Sequence, residues 1–423
     1  MNKLALYGGE PVRKKPFPSK LLGATFIGEE ELSELKDVID EKSPFRHYGI
    51  GNPKKVTTFE EEVRNFFGCR FALAVSSGTG ALMCAVAALG IGPGDEVILP
   101  SFGWYSDYSA IISSGALPVF ADVDETLSLD PADFEKKITS KTKAAIVIYY
   151  QGCAAQMDEI VTIAKKHGLK IIEDCAQAFG GMYKDKKLGT IGDVAISSFQ
   201  SNKILTCGEG GILITDNEKY FARAVRYHDL GFMRPVFEEQ LKDTSLAGDD
   251  KGFAGFQFRM SELQGAFILA QFRKLDRILE RCREYHKKIR DHFNQNRHFK
   301  IRYVDGDCGI TLFMLFGTKE EAEKFNNCLV AEGIPSGPTS HCENIVSQYP
   351  IKSKNLVHDS LPPFGKGFNG ECIKYDIEKC CPNTDKISER FVAIGVGPMY
   401  SDEDVEDIIR AIAKVDMYLY SQN

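Results

Sequence analysis

Residues 171–180, IIEDCAQAFG, and 197–211, SSFQSNKILTCGEGG, decide how this chain reads. The first is an apolar run that ends on an acid, the pattern of a strand buried on both faces with Asp174 just past its end. The second is a strand entering a polar loop that carries one lysine, Lys203, and then Gly208, Gly210 and Gly211. Together they supply a carboxylate for a ring nitrogen and an amine for an aldehyde. Pyridoxal 5'-phosphate needs both. Its pyridine nitrogen must stay protonated for the ring to take up electrons, and a neighbouring carboxylate raises that pKa. Its aldehyde must be held reversibly, as a Schiff base to lysine.

Around these segments, short apolar runs at 71–75, 96–99, 117–121, 144–150, 169–173, 194–199 and 211–215 alternate with helical stretches such as 81–89 and 158–167. That alternation predicts an α/β fold with a mostly parallel sheet between helices. Periodic apolar residues from Leu263 to Leu279 predict one long helix over 260–290. Beyond about 292 the composition shifts to short strands (310–316) and helices (320–332, 402–413), a smaller α+β domain. Residues 333–383, rich in Gly, Pro, Ser, Asn and Lys, read as surface loops. The expected division is 1–270, an N-terminal segment with the large cofactor-binding domain, and 271–423, the small domain.

Composition narrows the function. A net charge of -7 leaves no basic footprint for nucleic acid. No apolar run is long enough to span a bilayer, and the opening MNKLALYGGEPVRKK is too short in apolar residues for a secretory signal. A cytoplasmic protein is expected. The twelve cysteines contain no Cys-x-x-Cys and read as reduced, buried thiols. The cluster His341, Cys342, Cys372, Cys380 and Cys381 fits no standard zinc spacing, so no metal is expected.

The chemistry concentrates at strand ends. SSGTGAL, residues 76–82, follows a strand and opens an apolar helix. There Gly78 and Gly80 allow close backbone approach, and the helix start favours a phosphate. Ser76, Ser77 and Thr79 add hydroxyls. The same glycines begin a dinucleotide fingerprint, but Met83 stands at its third glycine and no acid follows at the ribose position. In PSFGWYSDYSA, residues 100–110, Trp104 is the only tryptophan. It stands ready either to stack on a pyridine ring or to serve as a rim aromatic. Asp174 reads as a ring-nitrogen partner or as a helix N-cap, and Gln177 as a donor to a ring oxygen or a solvent-facing amide. Ser198 and Ser201 offer further phosphate donors beside Lys203.

With these motifs in order, the chain resembles the DegT/StrS-type pyridoxal phosphate-dependent aminotransferases of the aspartate-aminotransferase-like fold. The likeness runs through LGIGPGDEVILPSF (89–102), GALPVFADVDETLSLDP (115–131), GDVAISSFQSNKILTCGEGG (192–211), FRMSELQGAFILAQFRKLD (258–276) and SDEDVEDIIRAIAKV (401–415). The lysine loop is similar to that of the glutamine:scyllo-inosose aminotransferases and aminohydroxybenzoate synthases. The resemblance implies that Lys203 forms the Schiff base and moves the proton, that Asp174 pairs with the ring nitrogen and that Gln177 contacts the phenolic oxygen. It further implies that Trp104 stacks on the ring and that Gly78, Thr79 and Ser198 hold the phosphate. It implies a homodimer with shared sites, in which the 255–259 loop, with Gln257, reaches the partner's cofactor. It departs from the family at Tyr149, where the family often has His, and at Gln257, where it often has Asn.

The expected activity is transfer of an amino group from L-glutamate or L-glutamine to a keto-sugar, keto-cyclitol or related ketone. A dehydratase or aromatising synthase of the same family is the alternative. Lys203 counts against dehydratases that replace the lysine with His. A non-catalytic cofactor-binding regulator finds no added domain to support it.

Overall fold

The computed structural model describes residues 3–245, 252–337, 344–365, 376 and 380–420. Its centre is a seven-stranded sheet of β1 (Phe71–Val75), β2 (Glu96–Pro100), β3 (Leu117–Ala121), β4 (Thr142–Ile148), β5 (Lys170–Asp174), β6 (Val194–Ser198) and β7 (Gly211–Thr215). The order is β1-β7-β6-β5-β4-β2-β3, and only β7 runs antiparallel to its neighbours. The apolar runs form strands because both faces are covered, so alternate residues go to opposite sides. Ala72 and Ala74 pack with Val56, Phe59 and Val63 on one face. Leu73 and Val75 pack with Leu82, Ala85 and Phe221 on the other. Helices Lys55–Phe67, Met157–His167 and Glu262–Phe272 cover the first face, and Gly78–Ala88, Tyr105–Ser113 and Glu218–His228 the second.

A second, antiparallel sheet of four strands, β8 (Phe299–Ile301), β9 (Thr311–Phe316), β10 (Ser336–Gly337) and β11 (Phe391–Gly395), has the order β8-β9-β11-β10. It shares a core with helices Leu275–His292, Lys319–Ala331 and Asp402–Tyr420. The beginning of the chain packs here as well. Leu4 is in this core, and buried Arg13 is paired with Asp404 at 2.7 Å and Asp407 at 2.9 Å. Glu332 accepts the Ala5 and Val12 amides at 2.9 and 3.0 Å.

The long helix expected over 260–290 is two helices, Glu262–Phe272 and Leu275–His292. No Gly or Pro marks the break. Lys274 sits at it with φ -99° and ψ -1°, and its ammonium donates to the Phe26 carbonyl and to buried Glu31, both at 2.7 Å. The bend lets the first helix press on the large sheet and the second join the small one.

None of the described helices is long and apolar enough to cross a membrane. The described cysteines form no disulfide, and burial pushes the Cys153 and Cys282 thiols up to about 12. Of the His/Cys cluster, His341, Cys342 and Cys372 lie outside the described residues. Cys380 and Cys381 place their sulfurs 3.4 Å apart.

Candidate active site

The parallel arrangement brings the ends of β1, β2, β4, β5 and β6 to one edge of the sheet, where open α/β folds bind their ligands. A cavity of about 490 Å³ opens there, within the range of small-molecule sites. Gly78, Thr79, Trp104, Asp174, Gln177, Ser198 and Lys203 all line it. The exception is Gln257. It is exposed, on a segment bridged to Asp229, and does not line this cavity.

One end of the cavity is the start of the Gly78–Ala88 helix. Ser77 caps it, its hydroxyl accepting from the Gly80 amide at 3.0 Å, and the first-turn amides of Gly78 and Thr79 have no partners within the helix. Thr79 and Ser106 share a hydroxyl–hydroxyl bond of 2.8 Å. A Cβ on Gly78 would lie 2.6 Å from the Ser198 Cβ, so only glycine lets the helix start and the end of β6 close into one cradle. Gly78→Ala is therefore expected to wedge this cradle apart. An overpacking strain of about 1–3 kcal/mol predicts a cofactor Kd raised roughly tenfold or more, readable by fluorescence titration of the cofactor-free protein.

At the other end lies Asp174, 6% exposed. It accepts the Ala176 amide at 2.7 Å. No helix follows it, which removes the N-cap reading; residues 176–180 are turns. Burial raises its pKa, while the Ala176 amide and the nearby Lys203 ammonium oppose the rise. Lys203 sits half-buried on the loop from β6 to β7, its backbone N–H held by the Gln200 carbonyl at 2.9 Å. Trp104 precedes the Tyr105–Ser113 helix, is 49% exposed and lines the cavity. The Gln177 carbonyl oxygen accepts the Gln151 amide at 3.0 Å.

The sequence reading missed Ser106, Asp107, Gln151, Gln200, Asn202 and Glu209, which also line the cavity. Gln151 takes a left-handed backbone with φ 51°, and its side-chain oxygen accepts from Thr311 at 3.0 Å, tying the cavity wall to β9. Asp107 is buried, three residues after Trp104 in the first turn of the Tyr105–Ser113 helix. Tyr149, expected near the substrate side, is turned away from it. Its hydroxyl donates to Glu173 at 2.5 Å, and it does not line the cavity. Successive strand residues face opposite ways, so Glu173 and Asp174 serve different sides of the sheet.

A buried acid, a lysine, an aromatic face and a cradle of amides and hydroxyls match the ring, aldehyde and phosphate of pyridoxal phosphate part for part. The sequence profile of the DegT/DnrJ/EryC1/StrS aminotransferase family matches residues 26–341. The chain is 31% identical to the spore coat polysaccharide biosynthesis protein SpsC of Bacillus subtilis, over 92% of this chain and 95% of that one. Among solved structures, 3-amino-5-hydroxybenzoic acid synthase superposes with a TM-score of 0.76 at 24% identity, over 96% of this chain and 99% of that one. PseC of Helicobacter pylori, an aminotransferase of pseudoaminic acid biosynthesis, gives 0.75 at 20% identity, over 96% and 100%. These two share its fold. With the profile spanning most of its length and a curated relative aligned nearly end to end, the chain belongs to the DegT/DnrJ/EryC1/StrS aminotransferase family of pyridoxal phosphate-dependent enzymes.

Proposed function

We propose that this enzyme moves an amino group from L-glutamate or L-glutamine to the ketone of a sugar, a cyclitol or a related ring. The observation that carries the reading is the meeting of Lys203, Asp174 and the Gly78–Thr79–Ser198 cradle in one cavity. The name of the Bacillus relative, a polysaccharide biosynthesis protein, supports a sugar as the acceptor.

When bound, pyridoxal phosphate carries the amino group between donor and acceptor and takes up the electrons of the broken C–H bond. The protein's part is binding, orientation and proton transfer. Gly78, Thr79 and Ser198 fix the phosphate end. Asp174 keeps the ring nitrogen protonated, Gln177 contacts the ring oxygen and Trp104 covers one face. Lys203 Nζ would hold the cofactor through its aldehyde, and its freed amine would take up and return the proton as general base and then acid. The assembly we favour is a homodimer. The exposed placement of Gln257 suits a residue whose partner is the other subunit's cofactor.

The purified protein should show the visible band of lysine-bound cofactor, and one of the two donors should bleach it to the aminated form. Adding a keto-sugar or keto-cyclitol should then restore the band. A band that responds to neither donor would sink transfer from them and favour the dehydratase or synthase alternative.

A further inference from the structure

Beside Asp174 lies a second carboxyl group that this mechanism does not use. Asp107, in the first turn of the Tyr105–Ser113 helix, is 1% exposed and lines the same cavity. Neither of its oxygens has a hydrogen-bond donor among the described residues. The charged groups that face it are Asp174 at the end of β5 and Lys203 on the β6–β7 loop.

An ionised Asp107 would be a buried anion without a donor and next to a like charge. Two carboxylates sharing a buried site do not both ionise. As a neutral acid, Asp107 instead finds an acceptor in Asp174. The proton belongs on Asp107 because the Ala176 amide donates to Asp174 at 2.7 Å, whereas neither Asp107 oxygen receives a hydrogen bond among the described residues. Burial first, and then the Asp174 charge, push Asp107 well above its ordinary value; burial raises Asp174 too, opposed first by the Ala176 amide.

We propose that Asp107 is a positioning residue for the cofactor: it stays a neutral carboxylic acid and donates a hydrogen bond to Asp174, so that the pair presents one negative charge, spread over two carboxyl groups, to the ring nitrogen. This deepens the functional reading and rests on it. A carboxylate that already accepts a strong donor is a weaker base. Asp107 thus sets how tightly Asp174 holds the ring proton.

The test compares wild type, Asp107→Asn and Asp107→Leu with pyridoxal phosphate bound, by titrating the visible band against pH. Asparagine offers Asp174 an N–H in place of the acid O–H, so its midpoint should match wild type. Leucine removes the donor, and its midpoint should move by about one pH unit. A midpoint displaced in the asparagine variant would mean that wild-type Asp107 is ionised, and an unmoved leucine variant would mean that it donates nothing. Either result overturns the proposal.

A second readout needs no cofactor. A carboxyl held protonated in the folded state alone contributes stability at low pH that is lost as pH rises from about 4 toward its raised folded pKa. The thermal midpoint of cofactor-free Asp107→Asn should therefore gain on wild type steadily from pH 5 to 8. A pH-independent difference would overturn the inference. Absence of a visible band in wild type would overturn the functional reading as well, so the two failures are distinguishable.

Discussion

Lys203→Ala is expected to abolish turnover while leaving a folded protein that still binds pyridoxal phosphate. Loss of positioned proton transfer alone costs about 10²–10⁴ in rate, and the covalent route is lost with it. Lys203 lies half-buried on a loop whose backbone is held by the Gln200 carbonyl. The cradle and Asp174 remain to hold the cofactor, whose absorption should change to that of the free aldehyde. Lys203→Arg sharpens the test. It keeps a cation beside Asp174 and Asp107, both of which feel the Lys203 charge, but it lacks a usable amine. Stopped-flow mixing with the donor should show no conversion of the bound cofactor to its aminated form in either variant. Retained transfer in the arginine variant would mean that Lys203 acts only as a charge, and the assigned role would fall.

Glu173→Ala should produce the largest loss of stability of any single change near the site. The Glu173 carboxylate is fully buried and accepts the Tyr149 hydroxyl at 2.5 Å. It also accepts the amides of Gly189 and Ile191 at 2.7 Å and Gly192 at 2.5 Å. Four donors converge on it; alanine would leave the buried Tyr149 hydroxyl and three part-buried amides without their acceptor. A donor left unsatisfied costs about 1–3 kcal/mol, so losing their common acceptor should cost about 3–5 kcal/mol in all. Tyr149→Phe removes one donor and should cost only about 1 kcal/mol. Guanidinium unfolding of the three proteins measures both. If Glu173→Ala proved no worse than Tyr149→Phe, water would have to satisfy the 189–192 turn, and Glu173 would not be its anchor.

These neighbours show what the sequence discloses and what it withholds. The strand ends were legible because buried parallel strands are short, apolar and bounded by polar loops. Runs 71–75, 117–121 and 211–215 coincide with β1, β3 and β7. Asp174 and Lys203 stood out because a charge directly after such a run, among Ser, Gln and Gly, has few purely structural explanations. Asp107 did not stand out. It sits in YSDYSAIIS, where Ser and Asp disguise a helix of weak intrinsic propensity, and its burial depends on a strand more than sixty residues away. Gln151 was hidden for a related reason. Its partners Gln177 and Thr311 come from different parts of the chain, and no local pattern announces them. The bend at Lys274 follows from a tertiary ion pair with Glu31, which periodicity cannot register.

The span that matches the family profile, residues 26–341, differs from the span that can fold. Cut to those bounds, the chain would forfeit β11, which lies between β9 and β10 in the small sheet, and the Asp402–Tyr420 helix behind it. It would also lose Arg13, whose guanidinium links the first stretch of polypeptide to Asp404 and Asp407. The two extremities act as a clasp: each is the other's binding site. Dissecting this enzyme into a minimal catalytic fragment would therefore fail for a mechanical reason. The fragment that keeps Asp174, Lys203 and the Gly78–Thr79–Ser198 cradle discards Leu22 from the cavity wall and the fastening of the sheet that Thr311 uses to brace Gln151.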